Sequence, residues 1–380
     1  VIYTIDHQPL GTKTITGYGL TTGISAAETF IINPKVEFVS PNHGTVGSSV
    51  YVEGDGYAAN EGIRINFGIS KTVFTQADKY GSFSTTFTVD TQGWGLTTIC
   101  ATGISSGTSS INFYTIETEI TLVSPTFGTV TTMITVKGNV FKTNELIRID
   151  FGNTTSITEV YADNIGSITA VFTVNTQTYG TKTISATGVT SNEPADGFYR
   201  IIARVWDVSP NSGTVGRTIT VKGDGYCAGE MIGIQFGTEL NIAPQYQVTE
   251  DLSVTNADAN GAFITTFVIP HQPAGTSTVL ARSWQTNPQQ AVNYLKVVGH
   301  IVKVDPPSGP VERTQVIVSG NGFGTEELVK IDFGVTSSIT LVSANIHGVF
   351  EARFTVNTQP VGRTTIVASG ITSKTSDDDT

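Results

Sequence analysis

Four glutamates carry the most regular chemistry in this chain of 380 residues. Glu61, Glu145, Glu230 and Glu327 each lie two residues before a strand that ends in Phe-Gly, and Asp55, Asn139, Asp224 and Asn321 lie six residues earlier. A carboxylate beside a turn rich in oxygen donors is what a calcium site is made from, so Asp55 with Glu61 and Asp224 with Glu230 are candidate ligands. Asp and Asn are also what a tight turn selects, and two of the four copies use the uncharged form. Both readings stand at this level. Asp377, Asp378 and Asp379 read as a solvated tail that could hold a cation loosely. The five histidines read as exposed turn residues: His7 and His271 both precede a Gln, while His43, His300 and His347 are scattered. No nucleophile elbow, zinc spacing, phosphate-binding loop or dinucleotide fingerprint is present, and the sequence predicts a protein without enzymatic activity or an organic cofactor.

The composition says what must position these residues. Charged residues make up 14% of the chain, against roughly 25% in an average soluble protein. Sixty threonines and 40 glycines favour short strands and tight turns over helices. A net charge of −11 without a Lys/Arg cluster excludes a nucleic-acid partner. No apolar run approaches the roughly 18 residues of a membrane span. A hydrophobic share of 38%, arranged in alternation, argues against disorder.

The chain repeats itself. Val39-Ser40-Pro41-Asn42-His43-Gly44-Thr45-Val46 returns as Val123 to Val130, as Val208 to Val215 and, degenerate, as Val304 to Val311, with prolines 41, 125, 210 and 306 separated by 84, 85 and 96 residues. Each copy continues with an alternating strand (Val50 and Val52, for example), a Gly-Asp/Asn turn, a strand ending in Phe-Gly, and an Ala-Asp/Asn-x-x-Gly turn. A Phe-Thr-Val strand, a loop holding Gln and Gly, and a final strand complete it. About seven short strands per copy predict a sandwich. The predicted organisation is a partial repeat over 1–35 (second half only), then repeats over 36–117, 118–203, 204–299 and 300–380. The third carries an insertion near 238–254, and the fourth lacks its last strand.

Tyr3-Thr4-Ile5 takes the place of the Phe-Thr-Val strand in the first, partial copy, and Ile371 to Thr380 is polar where a last strand is expected. Both ends thus cut through a repeat. The sequence is then either a window from a longer repetitive polypeptide or a chain whose terminal segment completes its neighbour's open sheet. The residues that would take part in such assembly are Val1, Ile2, Tyr3, Ile5, Ile371, Asp377, Asp378 and Asp379. The insertion, with Tyr246, Glu250 and Asp251, reads as a longer loop or as a contact surface on one repeat alone.

Ala162-Asp163-Asn164-Ile165-Gly166-Ser167, Phe172-Thr173-Val174 and Gly180 to Gly188 resemble bacterial and archaeal immunoglobulin-like surface repeats. The Ser-Pro-x-x-Gly-Thr-Val opening with its Gly-x-Gly-Phe/Tyr is similar to the IPT/TIG group of these domains. The resemblance implies an all-β fold, tandem immunoglobulin-like β-sandwich domains in a rod, located outside the cell, with no catalytic residue to transfer. Cys100 and Cys227 fall in different repeats and are not expected to pair. Asn153-Thr154-Thr155 is a glycosylation sequon, making Asn153 a candidate glycan site. The function expected is an extracellular structural protein that self-assembles through edge strands and termini into a surface layer, sheath or filament. An adhesin stalk, or a surface protein binding a ligand through its third repeat, is the alternative.

Overall fold

The computed structural model describes residues 2, 4–237, 251–284 and 289–379, and every helix or strand among them is a strand. The chain divides into two compact units: Val1–Thr126 with Met133–Phe172 and Lys182–Tyr199, and Phe127–Thr132 with Thr173–Thr181 and Arg200–Thr380. The protein is all-β, built of tandem immunoglobulin-like sandwiches.

The first sandwich shows how the sequence makes them. Lys35–Ser40, Ser49–Asp55 and Phe83–Thr88 form an antiparallel sheet in that order. Facing it is a sheet in the order His43–Gly44, Ser109–Ile116, Gly95–Gly103, Gly62–Phe67, Lys71–Gln76. Strand alternation sends every second side chain inward. Val50, Val52, Phe83 and Phe87 of the smaller sheet and Ile63, Ile65, Phe67, Ile99, Ala101, Tyr114 and Ile116 of the larger are thereby buried in one core. Phe67 packs against Phe87 and Tyr114, at centroid distances of 5.2 and 5.6 Å. These side chains are large enough to span the gap between the sheets.

The chain enters the sandwich by changing sheets. Lys35–Ser40 belongs to the smaller sheet, a cis peptide joins Ser40 to Pro41, and His43–Gly44 then pairs parallel to Thr115 and Ile116 of the last strand. This two-residue strand is an element that strand-periodicity could not foresee, because two residues show no alternation. The same crossing recurs at Phe127–Gly128 and Ser212–Gly213.

The second sandwich joins Glu119–Ser124, Met133–Asn139 and Ile168–Thr173 in its smaller sheet, and the third joins Arg204–Ser209, Thr218–Asp224 and Phe263–Val268. Each has a five-stranded sheet ordered as in the first. Of the insertion, 238–250 lies outside the described residues, Tyr246 and Glu250 included. Val254 stands in the strand Ser253–Asn256 rather than in a loop.

The fourth sandwich differs in its larger sheet, which holds four strands: Thr336–Ser343, Leu328–Phe333, Ile366–Gly370 and Ser376–Asp379. Ser376–Asp379 corrects the expectation that this repeat lacks a last strand. Asp377, Asp378 and Asp379 pair with Ala368, Val367 and Ile366, and they are not a solvated tail. The backbone ladder forms although the side chains carry no apolar alternation, and Asp377 adds a link to the other sheet by accepting the Ile301 N–H at 2.8 Å. At the other end, Thr4 and Ile5 lie outside any strand. The first regular element there is the hairpin of Gly11–Tyr18 with Ser25–Ile32.

The Ala-Asp/Asn-x-x-Gly turns are uniform. Asp78, Asp163, Asp258 and Asn345 each accept two backbone N–H groups with Oδ1, two and four residues on, at 2.8 to 3.0 Å. The glycine that follows has a left-handed φ, +78° at Gly261, and a Cβ there would collide with the Tyr226 carbonyl oxygen. Gly261→Ala is expected to cost roughly 1–3 kcal/mol, the scale of a strained backbone position. In calorimetry it should lower the melting of the third sandwich and spare the first.

Candidate functional site

The recurring glutamates are buried and act as acceptors. Glu61 is 5% exposed. Its carboxylate takes the N–H groups of Ala58 (2.6 Å) and Ser106 (3.0 Å) and the hydroxyls of Ser105 and Ser106. Glu145 takes the N–H groups of Thr190 and Ser191 with both of their hydroxyls. Glu327 takes the N–H groups of Gly324, Thr372 and Ser373 with the Ser373 hydroxyl. Glu230 accepts the Cys227 N–H at 2.9 Å. The carboxylates of Glu61, Glu230 and Glu327 therefore clamp their own turns, and those of Glu61, Glu145 and Glu327 clamp the hairpin before the last strand. Burial pushes these carboxyls up, but the converging N–H and O–H donors outweigh it and hold Glu61, Glu145 and Glu327 below the ordinary value of 4.5.

This donor set does not fit a cation. Calcium wants roughly six to eight oxygen acceptors, whereas the oxygens of Glu61, Glu145 and Glu327 face hydrogen-bond donors, and Glu230 leaves only its Oε1 without a hydrogen-bond partner among the described residues. Asp55 is turned to His7, Oδ1 to Nδ1 at 2.7 Å, and Asp224 forms a two-pronged pair with Arg204 at 2.8 and 2.9 Å. Among the described residues no group of three His, Cys, Asp or Glu side chains could hold a metal ion.

Successive repeats meet through main-chain atoms. Only two residues separate the last strand of one sandwich from the first strand of the next: Glu117 and Thr118, Ile202 and Ala203, Val298 and Gly299. Beside the second and third of these links, and beside Asn33 and Pro34 before the first sandwich, a preceding loop reaches the Gly-x-Gly-Tyr/Phe turn that follows. The N–H of Tyr179 donates to the Tyr226 carbonyl at 2.9 Å, that of Ala274 to Phe323 at 2.8 Å, and that of Leu10 to Tyr57 at 2.9 Å. Each donor immediately precedes the glycine of the Gln-x-x-Gly loop. Trp94 holds that position between the first and second repeats, and its half-buried ring packs on the core cluster that also contains Val140. Val361 holds it in the fourth repeat and is fully exposed. The loop is fixed by its Gln: the Gln92 side chain accepts the Ile69 N–H and donates to the Phe67 carbonyl, and Gln359 does the same at Val335 and Phe333.

Of the predicted assembly residues, Val1 and Tyr3 lie outside the described residues, and Ile2 and Ile5 are exposed. Ile371 sits in the clamped hairpin, its N–H donating to the Leu328 carbonyl at 3.0 Å. Asn153 is exposed in the turn between Leu146–Phe151 and Thr154–Tyr161. Cys100 and Cys227 form no disulfide among the described residues. Composition and spacing did not point to the pairing of His7 with Asp55, His43 with Glu117 and His300 with Asp377. Each joins residues at least 48 positions apart, so no local signal existed.

No family model matches the chain, and no curated protein matches it. Among solved structures, the chain is similar to a tetra-tandem repeat in the extending region of a large adhesion protein (15% identity, 91% of this chain and 97% of that one, TM-score 0.24). Invasin, a bacterial integrin-binding protein, gives 12% identity over 90% of this chain and 77% of that one, with a TM-score of 0.22. The D1–D4 ectodomain fragment of ICAM-5 gives 12% over 91% and 98%, with a TM-score of 0.21. At scores this low the fold rests on the chain's own sheets and cores.

Two outcomes follow from the clamps and pairs. Because the folded Glu145 carboxyl titrates below 4.5, its contribution is complete above that value and is lost as pH falls through the lower folded value. Glu145→Gln should therefore lower the melting temperature of its sandwich near neutrality, and the gap to the parent should close well below pH 4.5. Its hydrogen bond to Asp55 raises the His7 imidazole above 6.5. That contact is strongest below 6.5 and fades as pH rises through the raised value. An NMR titration should find His7 above 6.5 and see it fall back in Asp55→Asn.

Proposed function

We propose that this chain is a non-enzymatic extracellular structural protein that assembles with copies of itself into a surface layer, sheath or filament. The observation that carries this reading is the repeated junction. Two-residue links and a main-chain hydrogen bond from the Gln-x-x-Gly loop to the next aromatic turn make a joint that tolerates side-chain change. The same loop in the fourth repeat presents Val361 to solvent. The threonine-rich, charge-poor strands support a place outside the cell and offer few charges to discourage edge pairing. The sequence resemblance to IPT/TIG-like surface repeats supports the same reading, and an exposed Asn153 suits a glycan.

A second reading, a ligand-binding surface protein or adhesin stalk, draws on one cluster of the third sandwich. The half-exposed Trp284 donates its indole N–H to Asp251 at 3.1 Å, and Arg282 lies over its ring at 5.3 Å. An aromatic face beside a carboxylate suits a polar, ring-shaped ligand.

Electron microscopy of native material released from the cell surface separates the two. A periodic lattice or filament is expected. Single molecules ending in a distinct head would overturn the assembly reading and move the function to the head.

A further inference from the structure

The outward face of the larger sheet changes character in the third sandwich. In the second and fourth, the strand ending in Phe-Gly carries a cation that an acid two residues on neutralises: Arg148 with Asp150 at 3.0 Å and Lys330 with Asp332 at 2.8 Å. Gly233 and Gln235 take those places in the third. Position 233 has no room for a side chain, because a Cβ there would collide with the Asp251 carboxylate. The cation stands instead on the neighbouring strand, where Arg282 pairs with Gly233 on one side and Gln290 on the other. Its counterparts Thr102, Thr187 and Ser369 are uncharged, and those of Trp284 are Ile104, Val189 and Ile371.

These changes assemble a cation without an acid. Arg282 makes no ion pair among the described residues, and its guanidinium lies over the Trp284 ring, 5.3 Å from the centroid. A guanidinium stacked on a ring keeps its N–H edge clear, and that planar fork matches a carboxylate with two parallel hydrogen bonds. The Asp251 carboxylate is committed elsewhere: Oδ1 accepts the Gln235 amide at 3.2 Å and Oδ2 the Trp284 indole N–H at 3.1 Å. Gln235 and Leu280, which pair across the two strands, are buried, while Trp284 is half-exposed.

We propose that this face binds a saccharide bearing a carboxylate, with Arg282 gripping the carboxylate and the exposed part of the Trp284 indole backing the sugar ring. Each Asp251 oxygen keeps a second lone pair, which suits the hydroxyls of a sugar as donors. The two charges give the ligand one orientation, its carboxylate at Arg282 and its hydroxyls toward Asp251. A peptide fits less well. From Thr278 to Arg282 the strand is paired on both sides, so the face has no main-chain edge on which a peptide could add as a strand. The inference rests on the ligand-binding reading of the third sandwich and deepens it by fixing the ligand's charge.

The test is calorimetric titration of the whole 380-residue chain with sialyllactose against lactose, a galacturonic acid tetramer against a galactose tetramer, and hexaglutamate. The acidic member of at least one saccharide pair is expected to bind one per chain, about tenfold or more tighter than its neutral partner. The pair that responds separates a sialic from a uronic acid. Arg282→Thr, the residue that two sister sandwiches carry, should remove that preference, and Arg282→Lys, which keeps the charge but not the fork, should remove part of it. Arg64→Thr, at an exposed cation with no ring against it, should change nothing. Equal binding of acidic and neutral saccharides, or indifference to Arg282→Thr, overturns the inference and leaves a sugar-binding third sandwich intact. Arg282-dependent binding of hexaglutamate alone overturns it in favour of an acidic peptide. Binding of none of these probes overturns both the inference and the reading on which it rests.

Discussion

In three of the four sandwiches a buried carboxylate surrounded by N–H groups ties a central strand of the larger sheet to the hairpin before the last strand. Glu61, Glu145 and Glu327 stand at the start of a central strand, yet their oxygens receive donors from hairpins 44 to 46 residues further along the chain. The last strand is delivered by that hairpin, and the last strand in turn carries the core side chains over Phe67 and Phe151 and the edge on which the two-residue strands pair. A buried charge is costly unless its lone pairs are all engaged. Engaging them with backbone N–H groups and with Ser or Thr hydroxyls makes the carboxylate a specification of loop geometry.

Much of the fold was legible in the residues because it is written by local rules. Alternation at Val50 and Val52 or Ile147 and Ile149 marks strands, and Ala-Asp-x-x-Gly marks a turn whose Asp oxygen and left-handed glycine do the work. The repetition of both through the chain supplied an internal alignment. The glutamates were visible in position but not in role, since the hairpin N–H groups and hydroxyls that they bind lie 44 to 46 residues along the chain. An oxygen-ligand reading was open for the same reason. The strand Ser376–Asp379 and the crossing strand His43–Gly44 were missed because the backbone ladder forms them without an apolar period.

The junctions obey the same economy. Leu10, Tyr179 and Ala274 share no side-chain chemistry, yet each gives its N–H to the carbonyl of the next aromatic turn. Side chains are free to vary where the contact is made by the backbone, and Trp94 shows the variation taken furthest, with packing on a shared cluster beside Val140.

The parallel pairing of the entry segment with the last strand also has a mechanical meaning. When a tandem chain is pulled from its ends, force enters a sandwich near His43–Gly44 and leaves near Ile116, and these two segments are hydrogen-bonded neighbours running the same way. The bonds between them are loaded in shear and must break together, rather than opening one at a time like a zip. Resistance to pulling is set by the unfolding rate rather than by equilibrium stability. Two residues at the mouth of each of the first three sandwiches therefore act as a latch against traction.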